Sequence, residues 1–159
     1  RGTIGGSVSN SDPAADYPAG VLGLGAEIVT NKRTIAADDF FTAMFETALE
    51  EGELLTKIKF PKPESAAYVK FPNPASRYAT VGVFIALTGS GVRVAITGAA
   101  PSVFRSTDME KALNSEFSVE ALEGITLDAG EMNSDLHATA EYRAHLCTVM
   151  AKRAVLKLL

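Results

Sequence analysis

The sequence predicts an α+β fold. Between residues 67 and 97 apolar side chains recur with a period of two, the pattern of strands, whereas after Pro101 the period lies between three and four, the pattern of helices. Strands followed by helices give a two-layer domain, a small antiparallel sheet with helices laid on one face. At 159 residues, 47% of them hydrophobic, the chain is long enough for one substantial core or two small ones.

Taken in order, residues 1 to about 50 begin as a Gly/Ser loop. Val21 to Thr30 starts as a short helix packed closely through Gly23 and Gly25 and ends as a strand, which Thr34 and Ile35 extend. Asp38 and Asp39 ahead of Phe40 and Phe41 set acidic charge where a short helix begins. Glu50-Glu51-Gly52-Glu53 reads as a polar turn, and Leu54 to Phe60 as a strand that Pro61-Lys62-Pro63 terminates. A boundary between two units is expected there. Strands follow at 67–71, 79–87 and 92–97, the last two joined by Thr88-Gly89-Ser90-Gly91 as a hairpin. Ser106 or Thr107 caps a helix through Asn114, and Ser118 to Leu122 forms a second short one. From a Ser134 or Asp135 cap, Leu136, Ala140, Arg143, Cys147, Met150, Ala154 and Leu158 recur at helical spacing, predicting a long C-terminal helix whose stripe only Arg143 breaks.

Composition excludes several functions. A formal net charge of −4 provides no broad basic footprint, which argues against nucleic acid or an anionic membrane surface as main target. No apolar run is long enough to span a bilayer, and the segment after Arg1 lacks the apolar stretch of a signal peptide. Cys147 is the single cysteine, and His137 and His145 offer no metal-ligand spacing, which fits a reducing cytoplasm and no metal held by this chain. The start at Arg1 is expected to mark a piece of a longer protein.

Thr3-Ile4-Gly5-Gly6-Ser7 places two adjacent glycines, open to close backbone approach, between two hydroxyl side chains. Such a stretch suits a pyrophosphate, and it equally suits an ordinary tight turn. It matches neither the dinucleotide fingerprint nor the P-loop.

The wider string is more specific. Arg1-Gly2-Thr3-Ile4-Gly5-Gly6-Ser7 followed by Asp12-Pro13-Ala14-Ala15-Asp16-Tyr17-Pro18 resembles the second FAD-binding motif of the flavoprotein subunits of molybdenum hydroxylases, the family of carbon monoxide dehydrogenase and xanthine dehydrogenase. Glu53-Leu54-Leu55 with Phe60-Pro61, Tyr68-Val69-Lys70-Phe71, Ser76-Arg77-Tyr78-Ala79, and His137-Ala138 with Glu141-Tyr142-Arg143 resemble the same subunit in order, the medium subunit of carbon monoxide dehydrogenase being the nearest type. The resemblance implies residues 1–60 as the second half of an FAD-binding domain and 61–159 as the flavoprotein C-terminal α+β domain. It also implies a further glycine-rich loop for the pyrophosphate, which in the family precedes the first motif seen here.

By that resemblance, Thr3, Ile4, Gly5, Gly6 and Ser7 would face the FAD pyrophosphate and ribityl chain, and Asp16 would accept a hydrogen bond from the cofactor. Asp12 would share that role or simply start a turn before Pro13. Leu55 would lie beside the flavin ring or in a strand core. Lys70 would bring positive charge to the flavin pyrimidine edge, stabilising a reduced, anionic flavin, or else be a solvated strand lysine. Residues 71–80 would form a loop governing access to the ring, with Tyr78 stacked on it or in the core, and Arg77 at a neighbouring subunit, at a nucleotide or in solvent. Tyr142 and Arg143 read as an internal structural contact, and Cys147 as an inert buried thiol.

The implied function is electron relay. Reducing equivalents from a molybdenum cofactor in a large subunit would pass through 2Fe-2S clusters of a small subunit to FAD here, then to an external acceptor, with two heterotrimers paired. Substrate would be selected in another subunit, so carbon monoxide, a purine, nicotinate or an aldehyde all fit, as do quinone, NAD or oxygen as acceptor. The competing expectation is a structural or interaction module that cannot bind FAD without the other half of the domain.

Overall fold

In a computed structural model of the chain, residues 2–159 are described. The sheet expected in the C-terminal portion is four-stranded and antiparallel, in the order β6 (Ser65–Pro72), β7 (Ala79–Thr88), β8 (Gly91–Thr97) and β9 (Phe104–Arg105). Thr88 pairs with Gly91, so Gly89-Ser90 is a two-residue hairpin turn, and Gly91 sits at a φ of 116° that favours glycine. The two-residue β9 is too short to leave a periodicity in the sequence.

One face of this sheet carries Val81, Val83, Ile85, Val94 and Ile96, all wholly buried. Over it lie α4 (Thr107–Ser115) and α5 (Ala140–Leu156), which contribute Met109, Leu113, Cys147, Met150 and Ala154 to one apolar cluster. The long helix starts later than its spacing predicts. Asp135 is already committed, its Oδ1 accepting from the amides of His137 and Ala138 in a local turn, so Thr139 caps α5 instead by accepting from Tyr142 N at 3.3 Å. Leu136 consequently stands fully exposed in the preceding loop rather than on the stripe. The short element expected at 118–122 is a single 3₁₀ turn, Glu120–Leu122.

The opposite face is covered too, which a two-layer reading does not foresee. Here lies α2 (Tyr17–Gly23), with Phe84 of β7 pressed against it. A Cβ at Gly23 would run into the Phe84 ring, so only glycine lets helix and strand approach this closely. Burial on both faces explains why β7 is an almost unbroken apolar run, Val81 to Leu87, instead of an alternating one.

The remaining N-terminal elements build a second apolar cluster around Val8, Leu22, Ile28 and Phe40, which extends onto Ala95 of β8. They are α1 (Ile4–Asn10), the three-stranded sheet of β2 (Thr34–Ala36), β1 (Glu27–Thr30) and β5 (Leu55–Lys59), the one-turn α3 (Ala37–Phe40), and the small pair β3 (Phe41–Ala43) and β4 (Glu46–Thr47). The expected Gly/Ser loop at the start is therefore a helix. Gly5 and Gly6 have helical, negative φ, and Thr3 offers its side-chain oxygen to Gly6 N at 3.0 Å; this cap outweighs the low helix propensity of two glycines. Among the described residues no helix is long and apolar enough to cross a membrane.

Candidate cofactor cleft

The end of the sheet nearest α1 holds the segment Asp12 to Asp16 in place. Asp12 Oδ1 accepts from Ala14 N at 2.9 Å, the turn-starting role open to it in the sequence. The rungs of the sheet then grip the backbone beyond: Ala79 N donates to Ala14 O at 3.2 Å, Gly98 N to Pro13 O at 2.6 Å, and the Thr97 hydroxyl reaches both Pro13 O and Ala15 O. Gly98 has a φ of 83°, and a Cβ there would sit 2.5 Å from Ala79 O. No other residue could bring its amide to Pro13 at that point.

Behind this anchor, Arg143 closes the structure. It is 5% exposed, its Nη1 donates to Thr80 O at 2.6 Å and to Gly98 O at 2.9 Å, and its Nη2 pairs with Asp135 at 2.7 Å. Tyr142 meets Phe71 edge to face. Both therefore make the internal contact read from the sequence.

Asp16, thus positioned, projects into a cleft of ≈ 950 Å³ between α1, α2, β6 and the loop after β6. Thr3, Gly6 and Ser7 line it together with Asp12, Asp16, Lys70 and Tyr78. Lys70 Nζ donates to Asp16 Oδ2 at 2.7 Å and to Arg77 O at 2.8 Å. Lys70 is therefore a held charge, its side chain 26% exposed, rather than a solvated strand lysine. Arg77 has a φ of 66° and turns its carbonyl onto Lys70, while its own side chain also lines the cleft.

The other expected residues lie differently. Gly5 faces Leu55, whose Cδ2 would be 3.7 Å from a Cβ added to the glycine, and Leu55 packs half-buried in the N-terminal apolar cluster. Ile4, Gly5 and Leu55 are not among the lining residues. The Gly6 amide already serves the Thr3 cap, and Ser7 N donates to Thr3 O. Tyr78 stands half-exposed at the cleft mouth, not in the core.

Sequence reasoning passed over Gly2, Asn10, Ala15 and Tyr17 as lining residues, and Tyr68 as a supporting one. Tyr68 Oη donates to Asp16 Oδ1 at 2.5 Å. Burial, and then that hydrogen bond to the carboxylate, push its phenol well above the usual range, so it stays a donor at any working pH. The available signal was spacing: Tyr68 and Lys70 are two apart in one strand and so share a face. Among the described residues no group of three or more His, Cys, Asp or Glu side chains is placed to hold a metal ion.

Comparison with known proteins agrees with this architecture. Residues 1–63 match the family described as FAD binding domain in molybdopterin dehydrogenase, and residues 66–158 match the CO dehydrogenase flavoprotein C-terminal domain. The chain is 33% identical to the nicotine 6-hydroxylase medium subunit of Paenarthrobacter nicotinovorans over 99% of its own length and 60% of the relative's. It is 34% identical to the carbon monoxide dehydrogenase medium chain of Afipia carboxidovorans over 97% of its own length and 59% of the relative's. Its fold superposes on reconstituted CO dehydrogenase from Oligotropha carboxidovorans with a TM-score of 0.85 at 32% identity, covering 98% of this chain and 60% of that one. Together the two family models span nearly the whole chain. The chain belongs to the CO dehydrogenase medium-subunit family, and it spans about 60% of the length of these relatives.

Proposed function

We propose that the cleft beside Lys70 is part of an FAD site, and that the protein passes electrons from iron–sulfur clusters through that FAD to an external acceptor. The observation that carries the reading is the meeting of α1, Asp16, Lys70 and Tyr78 around one cleft, in a chain of this family. The donor chemistry suits a dinucleotide. The hydroxyls of Thr3 and Ser7 favour phosphate oxygens, Lys70 supplies a cation, and Tyr17 and Tyr78, 55% and 51% exposed, offer ring faces. With the Gly6 and Ser7 amides donating to Thr3 and with Ile4 and Gly5 outside the lining, phosphate contacts fall to the side-chain hydroxyls of Thr3 and Ser7.

Bound FAD would supply the redox chemistry, accepting and releasing electrons singly or in pairs. The residues of this chain bind, orient and tune. Lys70, pinned by Asp16 and Arg77 O, keeps positive charge at the cleft wall, which favours extra electron density on a ring beside it. Tyr78 at the mouth restricts water and governs approach. Residues 1–60 would be the cofactor-facing unit and 61–159 the supporting one. A large molybdenum subunit, a small 2Fe-2S subunit, a dimer of such heterotrimers and a cytoplasmic setting complete the reading.

Half-exposure of Tyr17 and Tyr78 favours a second reading of this stretch taken alone: an interaction module whose cleft needs a facing wall before it holds FAD. One titration tests both. FAD is added to the chain with and without the remaining portion of a medium subunit, and flavin fluorescence is followed. Quenching only with both pieces supports a shared site; no quenching in either condition removes the FAD assignment.

A further inference from the structure

We propose that Tyr68 is a positioning residue of the cleft: its hydroxyl locks the Asp16 carboxylate so that Asp16 can hold the Lys70 ammonium at the wall. The inference rests on the reading of the cleft as an FAD site. Tyr68 does not line the cleft, yet its Oη lies 2.5 Å from Asp16 Oδ1 while Lys70 Nζ lies 2.7 Å from Oδ2. Both oxygens of one carboxylate are thereby fixed, one by a neutral donor and one by a cation, which leaves Asp16 a single orientation.

The sheet is built to admit this arrangement. Tyr68 pairs with Phe84 and Lys70 with Gly82, so the four positions share one face of the sheet. A Cβ at Gly82 would collide with the Tyr68 hydroxyl and lie 2.9 Å from its Cζ and 3.0 Å from Thr97 Cγ2. The missing side chain at Gly82 is the space that the Tyr68 phenol occupies on its way to Asp16. Asp16 caps no helix amide with its side chain, although it stands at the N-cap of α2, so the hydrogen bonds its carboxylate makes are those from Tyr68 and Lys70. Lys70 has one other anchor, Arg77 O, on the loop after β6. Without Tyr68, the lysine would be tied to a carboxylate free to rotate into solvent.

The test is a double-mutant cycle in the complete flavin-bearing subunit, with two readouts: FAD dissociation constant by fluorescence, and flavin reduction potential. Tyr68→Phe keeps the ring and removes only the donor. It is expected to weaken FAD binding about tenfold, the loss of one hydrogen bond to a charged group. The potential should fall in the same direction as in Lys70→Met, where the positive charge is gone. In the Lys70→Met background, Tyr68→Phe should change the potential no further, because its effect travels through Asp16 and Lys70. Asp16→Asn breaks the same link from the other side and stands in should Tyr68→Phe not fold.

Independent, additive effects of the two substitutions would overturn the positioning role. So would a shift in Lys70→Met with none in Tyr68→Phe, and in both cases the FAD reading survives. If Lys70→Met moves neither affinity nor potential, the cleft reading itself fails and this inference falls with it.

Discussion

Glu53 shows how far a single side chain can depart from its sequence context. It sits in the polar turn expected at 50–53, yet its side chain is fully buried. Arg33 donates to both its oxygens at 3.0 and 3.1 Å, Thr30 Oγ1 donates at 2.7 Å and Glu50 N at 2.9 Å. The Arg33 hydrogen bonds first, then those from Glu50 N and Thr30, hold the carboxyl down to about 2 from an ordinary 4.5. A group more acidic folded than unfolded stabilises the native state above its unfolded pKa, and that contribution is lost as pH falls. Denaturation midpoints should therefore decline between pH 4.5 and about 2, and Glu53→Gln should both lower the midpoint at neutral pH and flatten that acid decline. Cys147 is the reverse case, its thiol pushed up to about 12 chiefly by burial. It should not react with a disulfide reagent at pH 8 until the protein is unfolded. Arg143 was legible in sequence as a structural contact because it interrupts an apolar stripe. Its partners were not legible, since two are backbone carbonyls 45 and 63 residues away that no spacing rule encodes. Arg143→Met should cost about 3 kcal/mol in urea unfolding, taking the arginine donor from Asp135 Oδ2 and from two carbonyls.

Among the elements, the strands and long helices followed their hydrophobic periods, and the errors gathered where local capping competes with period. The glycine pair near the start reads as a loop by propensity, but the Thr3 cap and the apolar anchor Val8 make it helical. The C-terminal helix begins at Ala140 and not near Ser134, because Asp135 serves a turn and an arginine instead of a helix amide. The covered second face of the sheet was signalled by the unbroken apolar run of β7, while the glycines that admit α2 reveal their purpose only against Phe84. Those glycines give opposite predictions. At Gly20 an added Cβ would be 3.9 Å from Phe84, ordinary contact, so Gly20→Ala should stabilise by up to about 1 kcal/mol through helix propensity. At Gly23 the same methyl would strike the ring, and overpacking of about 1–3 kcal/mol outweighs the propensity gain. Thermal melts of the two variants should shift to opposite sides of the parent.

For the whole molecule, charge ties the N-terminal elements to the main sheet. Asp38 at the start of α3 receives Arg93 of β8 and Arg105 of β9, Arg93 also donates to Leu22 O at 2.8 Å, and Arg105 continues to Glu110 of α4. Burial raises the Asp38 carboxyl, but the two guanidinium groups more than offset it and leave it below the ordinary range. A chain cut at Pro61 should show the consequence. Residues 61–159 alone would expose Tyr68, Phe84 and Ala95, bind a hydrophobic dye and self-associate, and addition of residues 1–60 should suppress both. The family was legible because its motifs lie along the entire chain; the cleft was legible only in part, since its support comes from a face-sharing tyrosine and from backbone atoms. One junction joins these scales mechanically. Gly98 holds Pro13 through its amide and Arg143 through its carbonyl, so the first turn of α5 and the Asp12–Asp16 segment are linked by a stiff strut of two hydrogen bonds and one residue. A push delivered to that end of α5 would have a short load path, through Gly98 and Pro13, to the segment that carries Asp16.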